Sequence, residues 1–350
     1  DFSTIDISSK RNVTLDSHRT IGSLKFGDTG GTPRRGWNLF GDTTILTLTG
    51  SPTINVVTPG ISVQCYPKLA GVEGLMKTGP GTFVLNTENN TLSGPIVVLQ
   101  GALQITSDLS LGLVPGTPTP ASIVLNDGRM ILGSSLSIHA NRGIALGPST
   151  GSGLGTIFTS FPYTMSISGV IANNGAGTGS LIKTGDGTLI LSGDNTYTGN
   201  TTISNNVLQI GAGGSSGSIL GNVTNYAILA FNRNDTHTFS GIISGTGKVV
   251  QHGSGTLILS GANTYSGGTT NNAGRLKAAH DSALGSGAVF VNAGTLEIAN
   301  VNITLPNLTL NNGAALVGTG TAAKYSKSSF PSIATSAAVT LATENATDQL

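Results

Sequence analysis

The residues best placed to do chemistry lie in the run Asn232-Arg233-Asn234-Asp235-Thr236-His237. A strand sends alternate side chains to one face. Arg233, Asp235 and His237 can therefore meet as a cation, a carboxylate and an imidazole, the parts of a general acid–base group. Asp16, His18 and Arg19 form a weaker group of the same kind. A solvated strand or loop explains both groups more simply. A β-helix enzyme acting on acidic polysaccharides needs clustered carboxylates, or Arg or Lys beside a carboxylate, on adjacent rungs. The acidic residues of this chain are scattered singly. We assign no catalytic, cofactor-binding or metal-ligating residue and expect a protein that is not an enzyme and uses no cofactor.

The glycine-rich motifs do not fit phosphate binding. In Lys183-Thr-Gly-Asp-Gly the Lys precedes the glycines, whereas a P-loop ends in Gly-Lys-Ser/Thr and opens a helix. Gly247-Lys248 runs on into Val249. Calcium repeats of the Gly-Gly-x-Gly-x-Asp type are missing, since Gly213-Gly214 leads into Ser-Ser-Gly-Ser. His18, His139, His237, His252 and His280 lie far apart without metal-ligand spacing. The single cysteine, Cys65, excludes a disulfide within the chain and reads as a small buried apolar residue. Eight Asn-x-Ser/Thr sequons occur, among them Asn89, Asn200, Asn222, Asn234, Asn302 and Asn307, about what this composition produces by chance. Arg34-Arg35-Gly-Trp37 reads as a surface loop between strands, with a binding loop as its alternative.

The elements around these residues follow from composition. Gly supplies 51 of 350 residues, and charged residues only 9% against a usual quarter or so. No stretch shows helical apolar spacing rich in Ala, Leu, Glu and Lys. Thr, Val and Ile suit strands, while Gly, Asn and Ser suit turns, so the chain reads as many short strands and tight corners. A net charge of +1 gives no electrostatic case for nucleic acid or an anionic membrane. No apolar run approaches the length of a membrane-spanning helix. No signal peptide is visible at Asp1, so an exported protein would be a processed or trimmed form.

Internal repeats organise the chain. Residues 75–98, 181–203 and 248–270 share one pattern. It runs from an apolar pair through Lys-Thr-Gly-x-Gly-Thr, or a looser version of it, to alternating apolar residues, Asn-Thr, an apolar or Tyr position, Gly and another strand. Short strands follow at Ala102–Ile105, Val207–Ile210 and Arg275–Lys277, and then Leu111-Gly112, Leu220-Gly221 and Leu284-Gly285. Weaker strands of the same flavour are expected at Ser122–Leu125, Met130–Leu132, Ser137–His139 and Ile144–Leu146. Towards the ends they are expected around Ile5/Ile7, Val13/Leu15, Ile45–Leu48, Leu296/Ile298 and Leu308/Leu310. One such unit cannot bury its apolar face alone, and parallel stacking gives the copies a shared core. The expected fold is all-β: a β-solenoid forming a single elongated rod of about 15 rungs, roughly 70 Å long at about 4.8 Å per rung. We place it at residues 1–320, with the clearest copies at 75–112, 181–221 and 248–287. An Ala/Ser/Thr-rich tail follows at 321–350, and no linker divides the chain.

The motif from Lys183 to Gly199 closely resembles the autotransporter-associated β-strand repeat, and Lys77–Gly94 and Gln251–Gly267 are looser matches. The three copies cover about a fifth of the chain. The resemblance implies a right-handed parallel β-helix of passenger type, export and surface display, and no single activity. The tail departs from the autotransporter pattern, because it does not read as a membrane β-barrel.

Three function classes compete. The leading expectation is an extracellular or cell-surface structural protein, a fibre or surface-layer subunit whose partner is itself, end to end. Open solenoid ends favour it, with Ser332–Thr343 as a possible strand-exchange segment. The alternative is an adhesin-like passenger binding surface glycans or other cells, and a polysaccharide-active enzyme comes last.

Overall fold

A computed structural model describes residues 11–28, 36–41, 43–304, 307–311, 313–319, 324–326 and 340–343. The expectations at Ile5/Ile7, at Arg34 and Arg35, and over most of Ser332–Thr343 lie outside those residues. The chain packs as two compact units. Unit 1 comprises Asp1–Gly187 with Thr196–Gly199, and unit 2 comprises Thr188–Asn195 with Asn200–Leu350. The division falls inside the second repeat copy.

In unit 1, one sheet stacks Arg11–Thr14, Trp37–Phe40, Ser62–Cys65, Thr82–Leu85, Ala102–Ile105, Arg129–Leu132, Ser152–Thr159 and Thr178–Thr184 in chain order. Neighbours pair parallel and in register. A second parallel sheet includes Ile45–Val56, Leu75–Thr78, Ile96–Val98, Thr119–Leu125, Arg142–Leu146 and Ile171–Asn173. Leu136–Ile138 pairs with Thr164–Ile167 in a third.

Unit 2 repeats the plan. Thr188–Leu191, Val207–Ile210, Ile228–Phe231, Lys248–Gln251, Thr269–Asn271, Val289–Val291 and Leu308–Leu310 form one parallel stack. Thr236–Phe239, Thr256–Leu259, Arg275–Ala278, Thr295–Ala299, Ala315–Thr319 and Thr340–Thr343 form another. Thr201–Ile203, Val223–Asn225 and Ile243–Ser244 form a third. The fold of each unit is therefore solenoid-like. Among the described residues the sole helical element is a 3-10 turn, Asp108–Leu111.

Register explains the core. Each strand turns alternate residues inward, and in-register parallel pairing places each on its equivalent one rung away. Leu189, Leu208, Leu229, Val249, Thr269, Val289 and Leu308 form one such buried column in unit 2. Val63, Phe83, Leu103, Met130 and Ile157 form another in unit 1. Each apolar member contributes roughly 1.5–3 kcal/mol of burial, which a single rung could not obtain.

The repeat copies do not mark one face. In unit 1, the first copy's Leu75–Thr78 and the second copy's Thr178–Thr184 lie in different sheets. In unit 2, the equivalent strands Thr188–Leu191 and Thr256–Leu259 also lie in different sheets. Thr82, Thr188 and Thr256 are thus separated by unequal lengths that are not whole numbers of rungs. The motif encodes a corner, and more than one corner of the coil accepts it.

Candidate functional site

The repeat residues form the densest constellation of buried polar chemistry. Lys77 and Lys183 each follow an inward Leu two residues earlier, so alternation points both side chains inward, where they are fully buried. The Lys77 ammonium donates to the carbonyls of Thr78 (2.7 Å), Gly79 (2.8 Å) and Gln100 (3.2 Å), the last on the following rung. Lys183 donates to Gly185 O (2.8 Å) and Gly187 O (2.7 Å). The third copy has Gln251 in this place, and its Nε2 donates to Gly253 O (3.0 Å) and Gly255 O (3.3 Å). The Gly-x-Gly corner turns its carbonyls inward, and a long donor satisfies them. The left-handed backbone at Gly79 and Gly185 (φ +73° and +80°) makes the turn. Burial pulls both lysines from 10.5 to about 8, opposed at Lys183 by the Asp186 carboxylate. No substrate reaches a fully buried amine, so these lysines act as bolts inside the corner.

The Asn-Thr position ties rungs together. Asn90 Oδ1 accepts from Leu69 N–H (2.7 Å) and its Nδ2 donates to Ser110 O (2.7 Å). Asn263 Oδ1 accepts from Ile243 N–H (2.8 Å) and its Nδ2 donates to Ala283 O (2.6 Å). Each amide spans the rung before and the rung after. Asn195 Nδ2 donates to Gly193 O and Ser218 O, both at 2.9 Å. Two positions on, Leu92, Tyr197 and Tyr265 are buried. Tyr265 Oη shares a hydrogen bond with Thr269 Oγ1 (2.5 Å), which donates to Leu284 O (3.0 Å). The Leu-Gly landmark holds at Leu111 and Leu284, which are buried. At the second copy Ile219 takes the interior place and Leu220 is 54% exposed.

The chemical candidates read from sequence make local contacts of their own. Arg233 Nε and Nη2 grip the two carboxylate oxygens of Asp235 (2.9 and 2.8 Å). Its Nη1 donates to Gly217 O (2.7 Å), which pins the preceding loop. The Arg233 hydrogen bond lowers the Asp235 pKa. His237 turns to the same side of its strand as buried Phe239 and leaves its Nε2 buried and without a hydrogen-bond partner. Burial, aided by Arg233, lowers its pKa. Asp16, His18 and Arg19 stand exposed: Arg19 pairs with Asp16 at 2.5 Å, and His18 Nδ1 accepts from Ile45 N–H (2.9 Å). The Ser17 hydrogen bond and then Arg19 lower the Asp16 pKa.

Trp37 corrects a sequence expectation. It opens strand Trp37–Phe40 instead of sitting in a surface loop, is 3% exposed, and donates Nε1–H to Gly27 O (2.9 Å). Cys65 is buried in register with Leu85, and burial pushes its thiol up to about 12. His139 Nδ1 accepts from Asn141 N–H, and His280 Nδ1 meets Ser282. Among the described residues no group of three His, Cys, Asp or Glu side chains could hold a metal ion. Asn89, Asn200, Asn222, Asn234, Asn302 and Asn307 are exposed.

Sequence reasoning missed two ionic clusters, each built on one buried charge. Arg142, 4% exposed, donates Nε–H to Asp108 Oδ1 (3.0 Å) and Nη2–H to Gly112 O (2.6 Å). It also lines a cleft of about 470 Å³ bordered by Pro95, Leu113, Pro115 and Pro120. Glu297, also 4% exposed, receives Arg275 and Lys277 at 2.7 Å each and Thr319 Oγ1 at 2.9 Å. Desolvation alone would raise its pKa, but these donors outweigh it and the net shift is downward.

The comparisons agree with this geometry. The passenger-associated-transport-repeat model matches residues 75–105, 181–210 and 249–278. The chain is 39% identical over 184 residues to the adhesin BmaC autotransporter of Brucella suis biovar 1 (strain 1330). That alignment covers 53% of this chain and 5% of the relative, so the chain spans only a small part of that protein's length. No solved structure matches the chain. The chain thus carries three passenger-associated-transport repeats, and they form the bolted corners described above.

Proposed function

We propose that this chain is part of the exported scaffold of a surface-displayed, adhesin-type passenger, wound as a right-handed parallel β-helix. The observation that carries the reading is the repeat corner. Three matched repeats place a buried Lys or Gln under a Gly-x-Gly turn, and in at least two an Asn clamps neighbouring rungs. Such corners stiffen each low-charge unit from within, as display outside the cell requires. The similarity to an adhesin autotransporter supports adhesion as the purpose of that display. The test is labelling of intact producing cells with an antibody raised against residues 188–350, together with adherence of a deletion strain. Surface labelling and reduced adherence are expected. Labelling only after permeabilisation, with adherence unchanged, would overturn the reading.

A self-assembling fibre is the second reading. It is favoured by the strand Thr340–Thr343, which ends its sheet with one edge unpaired among the described residues. Short, monodisperse monomers in electron micrographs at high concentration would count against it.

A further inference from the structure

One outward face of unit 2 has the makings of a binding site. It is built by Val207–Ile210, Ile228–Phe231, Lys248–Gln251, Thr269–Asn271 and Val289–Val291, none of which contains a carboxylate. A groove of about 380 Å³ runs across these rungs, with Lys248 and its register partner Ile228 on one rim, His252, Asn272 and Asn292 on the other, and Val250 and Thr270 between them. Lys248 and His252 are exposed and stand four residues apart, so the rims lie about 13 Å apart at the usual strand rise. Farther along the face, the register places Phe290 beside Thr270, and Phe290 is 43% exposed.

The second rim is an ordered row of amides. Asn311 donates to Asn292 Oδ1 (2.7 Å), and Asn292 donates to Asn272 Oδ1 (2.8 Å). Asn272 Nδ2 meets His252 Nδ1 at 3.2 Å. With every amide donating in one direction, the row ends on the His252 ring. Asn272 and Asn292 each keep one N–H and one oxygen lone pair for a ligand, repeated every roughly 4.8 Å. That repeat is close to the length of one extended pyranose unit.

We propose that this face binds an extended acidic polysaccharide lying across the rungs. Sugar hydroxyls meet the amide row, a ring face rests on Phe290, and a carboxylate or sulfate meets Lys248. The lack of carboxylates leaves the cation unopposed on this face. One lysine is too little charge for nucleic acid, whose binding depends on neutralising many phosphates. The inference deepens the adhesive reading and rests on it only for the extracellular setting.

The experiment is titration calorimetry of the full chain with polygalacturonate and with heparin, and with neutral dextran as a control. We expect at least one acidic polymer to bind and dextran not to. Lys248→Glu and Phe290→Ala each weaken binding about tenfold or more, Lys248→Arg keeps it within about threefold, and added salt weakens it. Both side chains project outward, so circular dichroism of the variants stays unchanged. Failure of both acidic polymers to bind, equal binding of dextran, or wild-type affinity in both Lys248→Glu and Phe290→Ala would overturn the site. Those outcomes leave surface display untouched, because antibody labelling of cells reads it separately.

Discussion

Replacing Lys183 separates a bolt from a bystander. Lys183→Met keeps the length and apolar stem but removes both donors, so Gly185 O and Gly187 O lose their Lys183 hydrogen bonds. Gly187 O keeps the Thr159 hydroxyl at 2.9 Å, which leaves Gly185 O as the main casualty. A buried group deprived of its partner costs about 1–3 kcal/mol, and the partial loss at Gly187 adds to that. Relief from burying an ammonium offsets some of the cost, so the net expectation is about 2 kcal/mol. Lys183→Gln imitates the third copy, where Gln251 makes the same two contacts, and should cost less than about 1 kcal/mol. Urea unfolding followed by circular dichroism reads the difference. With a slope near 2 kcal/mol per molar, Lys183→Met lowers the midpoint by about 1 M and Lys183→Gln by less than half of that. Equal midpoints for wild type and Lys183→Met would refute the reasoning, as would Lys183→Gln unfolding as early as Lys183→Met.

The same lysines set an alkaline signature. Their folded pKa, about 8, lies below 10.5, so between those values the unfolded chain binds more protons and stability rises with pH. Urea midpoints at pH 8 and 10 should show that rise, flattened in the Lys77→Gln/Lys183→Gln double variant. Glu297 works at the acid end: its lowered pKa gives stability that is present above about 4.5 and lost as pH falls through the folded value. Acid titration of Glu297→Gln should lack that component. Asn263→Ala strips a partner from Ile243 N–H and Ala283 O and should destabilise unit 2 by about 2–5 kcal/mol, read as a lower urea midpoint. Arg142→Ala leaves Asp108 without its buried partner and should cost about 3–5 kcal/mol by the same assay.

Strand positions were legible because alternation is local. Ala102–Ile105, Val207–Ile210 and Leu308–Leu310 lie where the apolar pattern puts them. The corner chemistry was visible as a recurring motif, but not as chemistry, since nothing local says that a Lys beside glycines points inward. The Gln251 substitution was the available clue: a site that accepts either Lys or Gln needs a donor, not a charge. Arg142 with Asp108, and Glu297 with Lys277, escaped notice because stacking joins residues 20 or more positions apart that look isolated along the chain. Arg233 and Asp235 were adjacent enough to be seen, but they pair in the bend before strand Thr236–Phe239 and not on a strand face. Trp37 was misplaced because Arg34-Arg35-Gly suggests a solvated loop, whereas the indole fills the interior against Phe26 at 6.0 Å between ring centres.

Cross-linking across three successive rungs tests the stacking itself. Thr202, Thr224 and Ser244 are consecutive register partners. With Cys65→Ser as background, cysteines placed pairwise at these sites should oxidise readily for 202–224 and for 224–244, whose separation of about 5 Å suits a disulfide. The 202–244 pair, two rungs apart, should stay reduced. Rapid closure of 202–244, or failure of both adjacent pairs, would contradict parallel, in-register rungs.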